Sequence, residues 1–387
     1  MTNPEKLQRL TVDCAKERLE NLKALLAAEE HPPIKRPQFA NNHIHTTYSF
    51  SPYSPTAAVF FAREAGLETA GIMDHDSIGG ADEFRRAGEI AGIAVTCGLE
   101  CRVTMQDTPL AGRRFNNPDQ DGIAYMAIHS VMPDKVDFLQ KTFAPLRARR
   151  NIRNQNMLQE INRRIVRLGI TLDFDGDILP LSLYHQGGTV TERHLLWSLA
   201  GKILEVFGRN RVLGALETLD ITPSPGQKAK LTAENQAIRY DLLGILKSYF
   251  VEQFYIPATE ECLSLKELVS LSKQADAILC YPYLGDVGES VTGDKRSEQY
   301  EDSFLEELFT VLKAQGVAGI TYMPSRNTAE QIARLRTLCT QHGFLEISGE
   351  DINSPSQSFI CEKLAEPGFS HLVEATWMLI NRERNGI

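Results

Sequence analysis

Nowhere in these 387 residues do about eighteen apolar residues run together, the length a membrane-crossing helix needs. Positive charge is not in excess either. Forty-one Lys and Arg against fifty Asp and Glu leave a net charge of −9, the wrong sign for a nucleic-acid coat or a membrane-surface binder. Cysteine is sparse and unpatterned: seven residues, an odd number with no short-spaced framework, so a reducing compartment fits better than disulfides. The opening MTNPEKLQRL has no apolar stretch behind a basic flank, and a cytoplasmic location is the expectation. GxxxxGK and GxGxxG patterns are missing, which leaves ATP-loop and dinucleotide functions without support. There is no serine nucleophile elbow, no Cys–His pair, no fixed-period repeat and no low-complexity tract.

What is present is an ordinary globular composition, 42% hydrophobic and 24% charged, long enough for two or three domains or one barrel with an insertion. Residues 4–30 place Leu7, Leu10, Cys14, Leu22, Leu25 and Leu26 at helical spacing before His31-Pro32-Pro33, so 1–35 reads as an N-terminal helical extension. From residue 39 the texture changes to short apolar runs alternating with helical patterns, the mark of a parallel sheet or barrel. Strands are expected at 39–44, 69–74, 94–99 and 123–128, with helices at 55–65 and 77–91. The alternation stops near 140 and resumes near 265, with strands at 277–281, 317–322 and 344–347 among helices at 265–275, 302–315, 327–342 and 370–382. The expected organisation is therefore α/β, a barrel formed by 36–141 and 265–387 and interrupted by a helical insertion at 142–264.

Chemistry concentrates in a regular series. His43 and His45 stand in HIH, His75 in MDHDS, Glu100 in CGLE and His129 in AIHS, at steps of 30, 25 and 29 residues from His45. One strand-helix unit fills each step, so each residue falls at the C-terminal end of a successive strand, where a parallel barrel builds its active site. Two histidines two apart on a strand share a face. A later strand, FLEIS, leads into Asp351 at the same rim. Imidazoles and carboxylates together suit Zn, Mn or Fe and water activated for hydrolysis. Asp74 and Asp76 beside His75 read as acceptors that orient imidazoles, and Cys97 and Cys101 beside Glu100 as small buried hydrophobes.

These motifs, HIHTTYSFSPYSP, MDHDS, GLE, AIHS, CYPYLG and GEDIN in that order, resemble the polymerase and histidinol phosphatase (PHP) superfamily of metal-dependent phosphoesterases over about residues 38–132 and 265–362. The resemblance implies a distorted (β/α)7 barrel with up to three metal ions. It carries His43, His45, Glu100 and Asp351 onto a first metal site, and Glu100, His129 and Tyr281 onto a second. His75, Phe50 and Asn353 fall on a third. Tyr281 and Asn353 stand where the family has histidines, and Phe50 where it has an acidic or imidazole ligand, so one or two divalent ions are expected and a third weak or absent. His185 and His194 are further candidates to complete the ligand set of the second metal ion.

The substrate side is read from PLRARRNIRNQNMLQEINRRIVR, whose seven arginines face a single acid, Glu160. Arg149, Arg150 and Arg153 are candidates to grip phosphate bidentately. Lys295 and Arg296 in GDVGESVTGDKR and Arg326 in YMPSRN are further phosphate candidates. His194 in TVTERH is a candidate for substrate contact or proton donation, with Glu100 and His129 as the other catalytic residues. The expected activity is hydrolysis of a phosphomonoester, nucleotide or short oligonucleotide by metal-activated water, with no membrane partner. Two rivals stand beside it: a metal-dependent amidohydrolase, and a degenerate barrel kept as a metal-containing binding or regulatory module.

Overall fold

A computed structural model describes residues 2–234, 237–287 and 299–386. The chain opens with two helices, α1 (Asn3–Leu10) and α2 (Ala15–Ala27). The body then runs α3 (Pro55–Glu64), β1 (Thr69–His75), α4 (Ala81–Ala91), β2 (Ala94–Thr104) and β3 (Ile123–His129). A helical stretch follows: α5 (Val136–Ile165), α6 (Glu192–Thr218), α7 (Pro225–Thr232), α8 (Ile238–Tyr249) and α9 (Val251–Phe254). The sheet resumes with β4 (Leu263–Ser264), α10 (Leu265–Gln274), β5 (Ile278–Pro282), α11 (Leu305–Gln315), β6 (Gly319–Tyr322), α12 (Ala329–His342), β7 (Leu345–Ser348) and α13 (Ser370–Asn385).

The strands form one curled sheet in the order β1-β2-β3-β5-β6-β7, with β4 paired to the end of β2. Ile44 bridges Ile72 of β1 on one side and Ile352, just past β7, on the other, so the segment carrying His43 and His45 closes the curl. Gly349 makes room for it, since a Cβ there would stand 2.6 Å from the Cβ of His43. Sequence periodicity placed β1, β3, β5, β6 and β7 within two residues, but β2 runs five residues past its expected end, the strand expected at 39–44 is present only as the bridge at Ile44, and the periodicity implied that all run the same way. β3 does not: it is antiparallel to both β2 and β5. No helix lies between β2 and β3, and without a crossover helix a parallel neighbour is out of reach.

Side-chain alternation divides the sheet into two faces. One buries Ile72, Cys97, Leu99, Ile128, Leu279, Tyr281 and Ile320 in the main core, against the outer helices. The other carries His75, Glu100, Ala127 and His129, because His75 lies opposite Glu100 and Glu100 opposite Ala127. α13 reaches the opposite end of the curl from the site. There Glu383 takes the Cys97 N–H at 2.8 Å and the Thr96 hydroxyl, while Arg382 pairs with Asp276 just ahead of β5 at 2.6 Å. The helical stretch has a core of its own, built on Met157, Leu158, Ile161, Leu195, Leu199, Leu242 and Leu246. No helix among the described residues is long and apolar enough to cross a membrane.

Candidate metal centre

His43, His45 and Glu100 each offer a ligand atom, and the three atoms lie within 4.8 Å of one another. Asp351 joins them with its Oδ1 3.2 Å from His45 Nε2, and His75 with its Nδ1 2.9 Å from Glu100 Oε1, close but out of line for a hydrogen bond. Glu100 divides its oxygens, Oε2 standing 3.5 Å from His43 and Oε1 3.4 Å from His45. His129 shares this face one strand-pair deeper; its Nε2 is buried with no hydrogen-bond partner among the described residues.

The orientation of His45 follows from counting protons. Ser49 has one hydroxyl hydrogen and gives it to Asp74 at 2.5 Å, so toward His45 Nδ1, 3.2 Å away, it can only accept. Nδ1 of His45 therefore donates to Ser49, and Nε2 is the ring nitrogen turned toward Glu100 and Asp351. Asp74 also takes the Thr46 N–H and hydroxyl at 2.7 and 2.6 Å, which locks the loop after the HIH segment. Asp76, with a left-handed φ of 50°, turns the chain directly after His75 and sends its carboxylate to Arg150 instead of an imidazole.

Electrostatics make this a seat for positive charge. Burial opposes a charge on His43, but Glu100, Asp351 and Asp74 outweigh it and push the imidazole up to about 9. Burial alone would raise Glu100, yet the neighbouring His75 and His43 hold it well below the usual carboxylate range. Burial and the charge of His43 push His129 down to about 3, so it stays a neutral potential ligand. Nitrogen and oxygen donors, one with an orphaned lone pair or N–H, fit a divalent transition ion.

The remaining candidates scatter. Tyr281 follows Cys280, which lies opposite Ala127, so alternation turns its ring to the far face of the sheet. There its hydroxyl accepts the Asn116 N–H at 3.3 Å, and the expectation of a Tyr281 ligand is corrected. Asn353 has its carbonyl taken by Arg193 at 2.7 Å and gives its amide to Asp351 at 2.6 Å, so it links those two rather than offering a free ligand oxygen. Phe50 packs edge-on to His194, ring centres 5.1 Å apart. His185 lies in a short turn beside Tyr184. His194 caps the start of α6: its Nδ1 accepts the Thr191 N–H at 2.9 Å, which leaves the proton on Nε2, and burial pushes it down to about 3. Of the arginines, Arg149 bonds the Glu260 carbonyl at the surface and Arg326 the Leu284 carbonyl. Arg150 and Arg153 are buried against carboxylates. Lys295 and Arg296 lie outside the described residues. Sequence reasoning passed over Arg193, whose hydrogen bond to Asn353 sets it beside Asp351; its position next to His194 at a helix start was the available signal.

Residues 41–318 match the PHP domain. The chain belongs to the PHP domain family. Among solved structures it is similar to a Bifidobacterium adolescentis protein to which metal-dependent phosphoesterase activity is attributed, with 20% identity, a TM-score of 0.57, and coverage of 91% of this chain and 98% of that one. It is also similar to an amidohydrolase from Chromobacterium violaceum solved with sulfate and without metal, at 16% identity and a TM-score of 0.55, covering 87% of this chain and 96% of the other. Both likenesses establish the fold. No match was found among curated proteins. PHP membership and the His43, His45 and Glu100 cluster make this a metal-dependent hydrolase in general type.

Proposed function

We propose that the protein hydrolyses a phosphate ester, a phosphomonoester, nucleotide or short oligonucleotide, at the centre formed by His43, His45, Glu100 and Asp351. The observation that carries this reading is the convergence of three ligand atoms within 4.8 Å, from buried His45 and Glu100 and partly buried His43, with Asp351 and His75 alongside. His43, His45, Glu100 and Asp351 would hold a Mn, Zn or Fe ion, and Glu100 and His129 are the residues for a second. Such an ion, when bound, supplies a Lewis acid and a water acidic enough to attack phosphorus near neutral pH.

The chain's own groups do the rest. Ser49 and Asp74 keep His45 in the tautomer that presents Nε2. Arg193, whose one hydrogen bond among the described residues goes to Asn353, keeps donors for the oxygens of a phosphate and offsets negative charge as it develops. Neutral His194 donates its Nε2–H to substrate, a positioning contact and not the delivery of a proton from an imidazolium. Amide hydrolysis is the second reading, since the same ligand set activates water for either bond and the Chromobacterium violaceum neighbour is an amidohydrolase.

The deciding experiment pairs elemental analysis of anaerobically purified protein with turnover of a phosphomonoester, a short oligonucleotide and a cyclic amide under added Mn, Zn or Fe. Phosphate release that disappears in Glu100→Gln supports the proposal. Turnover of the amide alone transfers the site to the second reading, and bound metal without turnover of any of them leaves a binding module.

A further inference from the structure

Beside the metal centre three arginines converge on one carboxylate. Arg102 Nη2, Arg150 Nη2 and Arg153 Nη2 lie 2.8, 2.9 and 2.6 Å from the oxygens of Glu192. Arg102 is two residues beyond Glu100 on the same face of β2, and its guanidinium lies over the ring of Tyr125, which in turn contacts His75. Arg150 reaches back with Nη1 to Asp76 at 2.5 Å, the residue after His75. The seat is therefore continuous with the metal centre.

Charge is balanced there, Arg102, Arg150 and Arg153 against Asp76, Glu192 and Glu261, but hydrogen bonding is not. Two donors, Arg102 Nη1 and Arg150 Nε, are buried and have no hydrogen-bond partner among the described residues, although both side chains are more than nine-tenths enclosed. Glu192 is also the first residue of α6, where the helix dipole favours an anion. An arrangement of three converging guanidiniums with donors to spare is one built around an anion, and the anion it holds belongs to the chain.

We propose that Glu192 is a built-in ligand of an anion seat formed by Arg102, Arg150 and Arg153, and that it keeps a second phosphate or carboxylate of the substrate out of that seat. The seat stands on the geometry alone; the consequence for substrate choice rests on the hydrolase reading above. A substrate carrying one anionic group at the metal centre is then favoured over one carrying two.

The seat is tested by thermal unfolding of the full-length, metal-free protein titrated with inorganic phosphate against chloride at matched ionic strength. Glu192→Ala should show a midpoint that climbs several degrees further with phosphate than that of the wild type or Glu192→Asp, in which only the Arg193 donors are open to the anion. Equal phosphate responses in wild type and Glu192→Ala, or none in either, would overturn the proposal. If Glu192→Ala does not fold in chloride, its soluble recovery on refolding is the readout: rescue by phosphate supports the seat, and failure in both salts counts against it. The substrate consequence is read separately, as at least a tenfold rise in kcat/KM for a bisphosphorylated over a monophosphorylated ester in Glu192→Ala. Loss of all phosphoester turnover in the wild type would sink the hydrolase reading while leaving the thermal result to judge the seat.

Discussion

Ser49 illustrates how much a small side chain decides at the scale of single residues. Its one proton goes to Asp74, and that commitment fixes the His45 ring so that Nε2 is the nitrogen presented to the candidate metal centre. Ser49→Ala removes the acceptor for Nδ1–H without touching any ligand. The expected result is a fall of about 10–100-fold in metal affinity with the fold intact, read by metal titration beside circular dichroism. Arg193→Ala should raise KM for a phosphate ester with metal content unchanged; equal loss of metal would mean that the residue supports Asp351 instead. The sequence displayed the ligands because histidines and acids are rare enough for a regular series of them to stand out. Ser49, Thr46 and Arg193 were invisible in that sense. Serine, threonine and arginine occur everywhere, and only folding brings Thr46 and Ser49 against Asp74, or Arg193 against Asn353.

Among the elements, α13 carries a pH-sensitive attachment. Burial pushes the Glu383 carboxyl up to about 7 against the pull of Thr96 and Arg85. The native state thus holds this proton more tightly than the unfolded chain. Its contribution is fully favourable below an unfolded value near 4.5 and is lost as pH rises toward 7. Glu383→Gln should flatten that part of the Tm profile between about pH 4.5 and 7; an unchanged slope would mean that other groups set it. Elements were also where the sequence was most readable, since strand and helix periods differ so plainly. Direction was the exception. Alternating burial has a period of two whichever way a strand runs, so β3 looked like its neighbours, and Tyr281 looked like a rim residue until its pairing partner fixed its face.

For the whole molecule, the buried ion network links the sheet through Arg102, α5 through Arg150 and Arg153, α6 through Glu192 and the chain before β4 through Glu261. Arg150→Met strips a partner from both Asp76 and Glu192. A loss of about 3–5 kcal/mol is expected from leaving such buried charges short, measured by denaturant unfolding. Metal should act in the other direction: chelation lowers the thermal midpoint, added Mn or Zn restores it, and Glu100→Gln shows neither response. The three consecutive residues at the start of α6 also bear on which genetic changes the protein tolerates. Glu192 faces the arginines, Arg193 reaches Asn353 and His194 returns to Thr191, so each role belongs to a direction around the helix axis. Each residue turns an α-helix by about 100°. Losing or gaining one codon between Gly187 and Thr191 would deal those roles to the wrong neighbours, whereas the same change in the exposed helix end near Thr218 would leave them alone. Length variation in this chain should therefore be forbidden just ahead of α6 and permitted behind it.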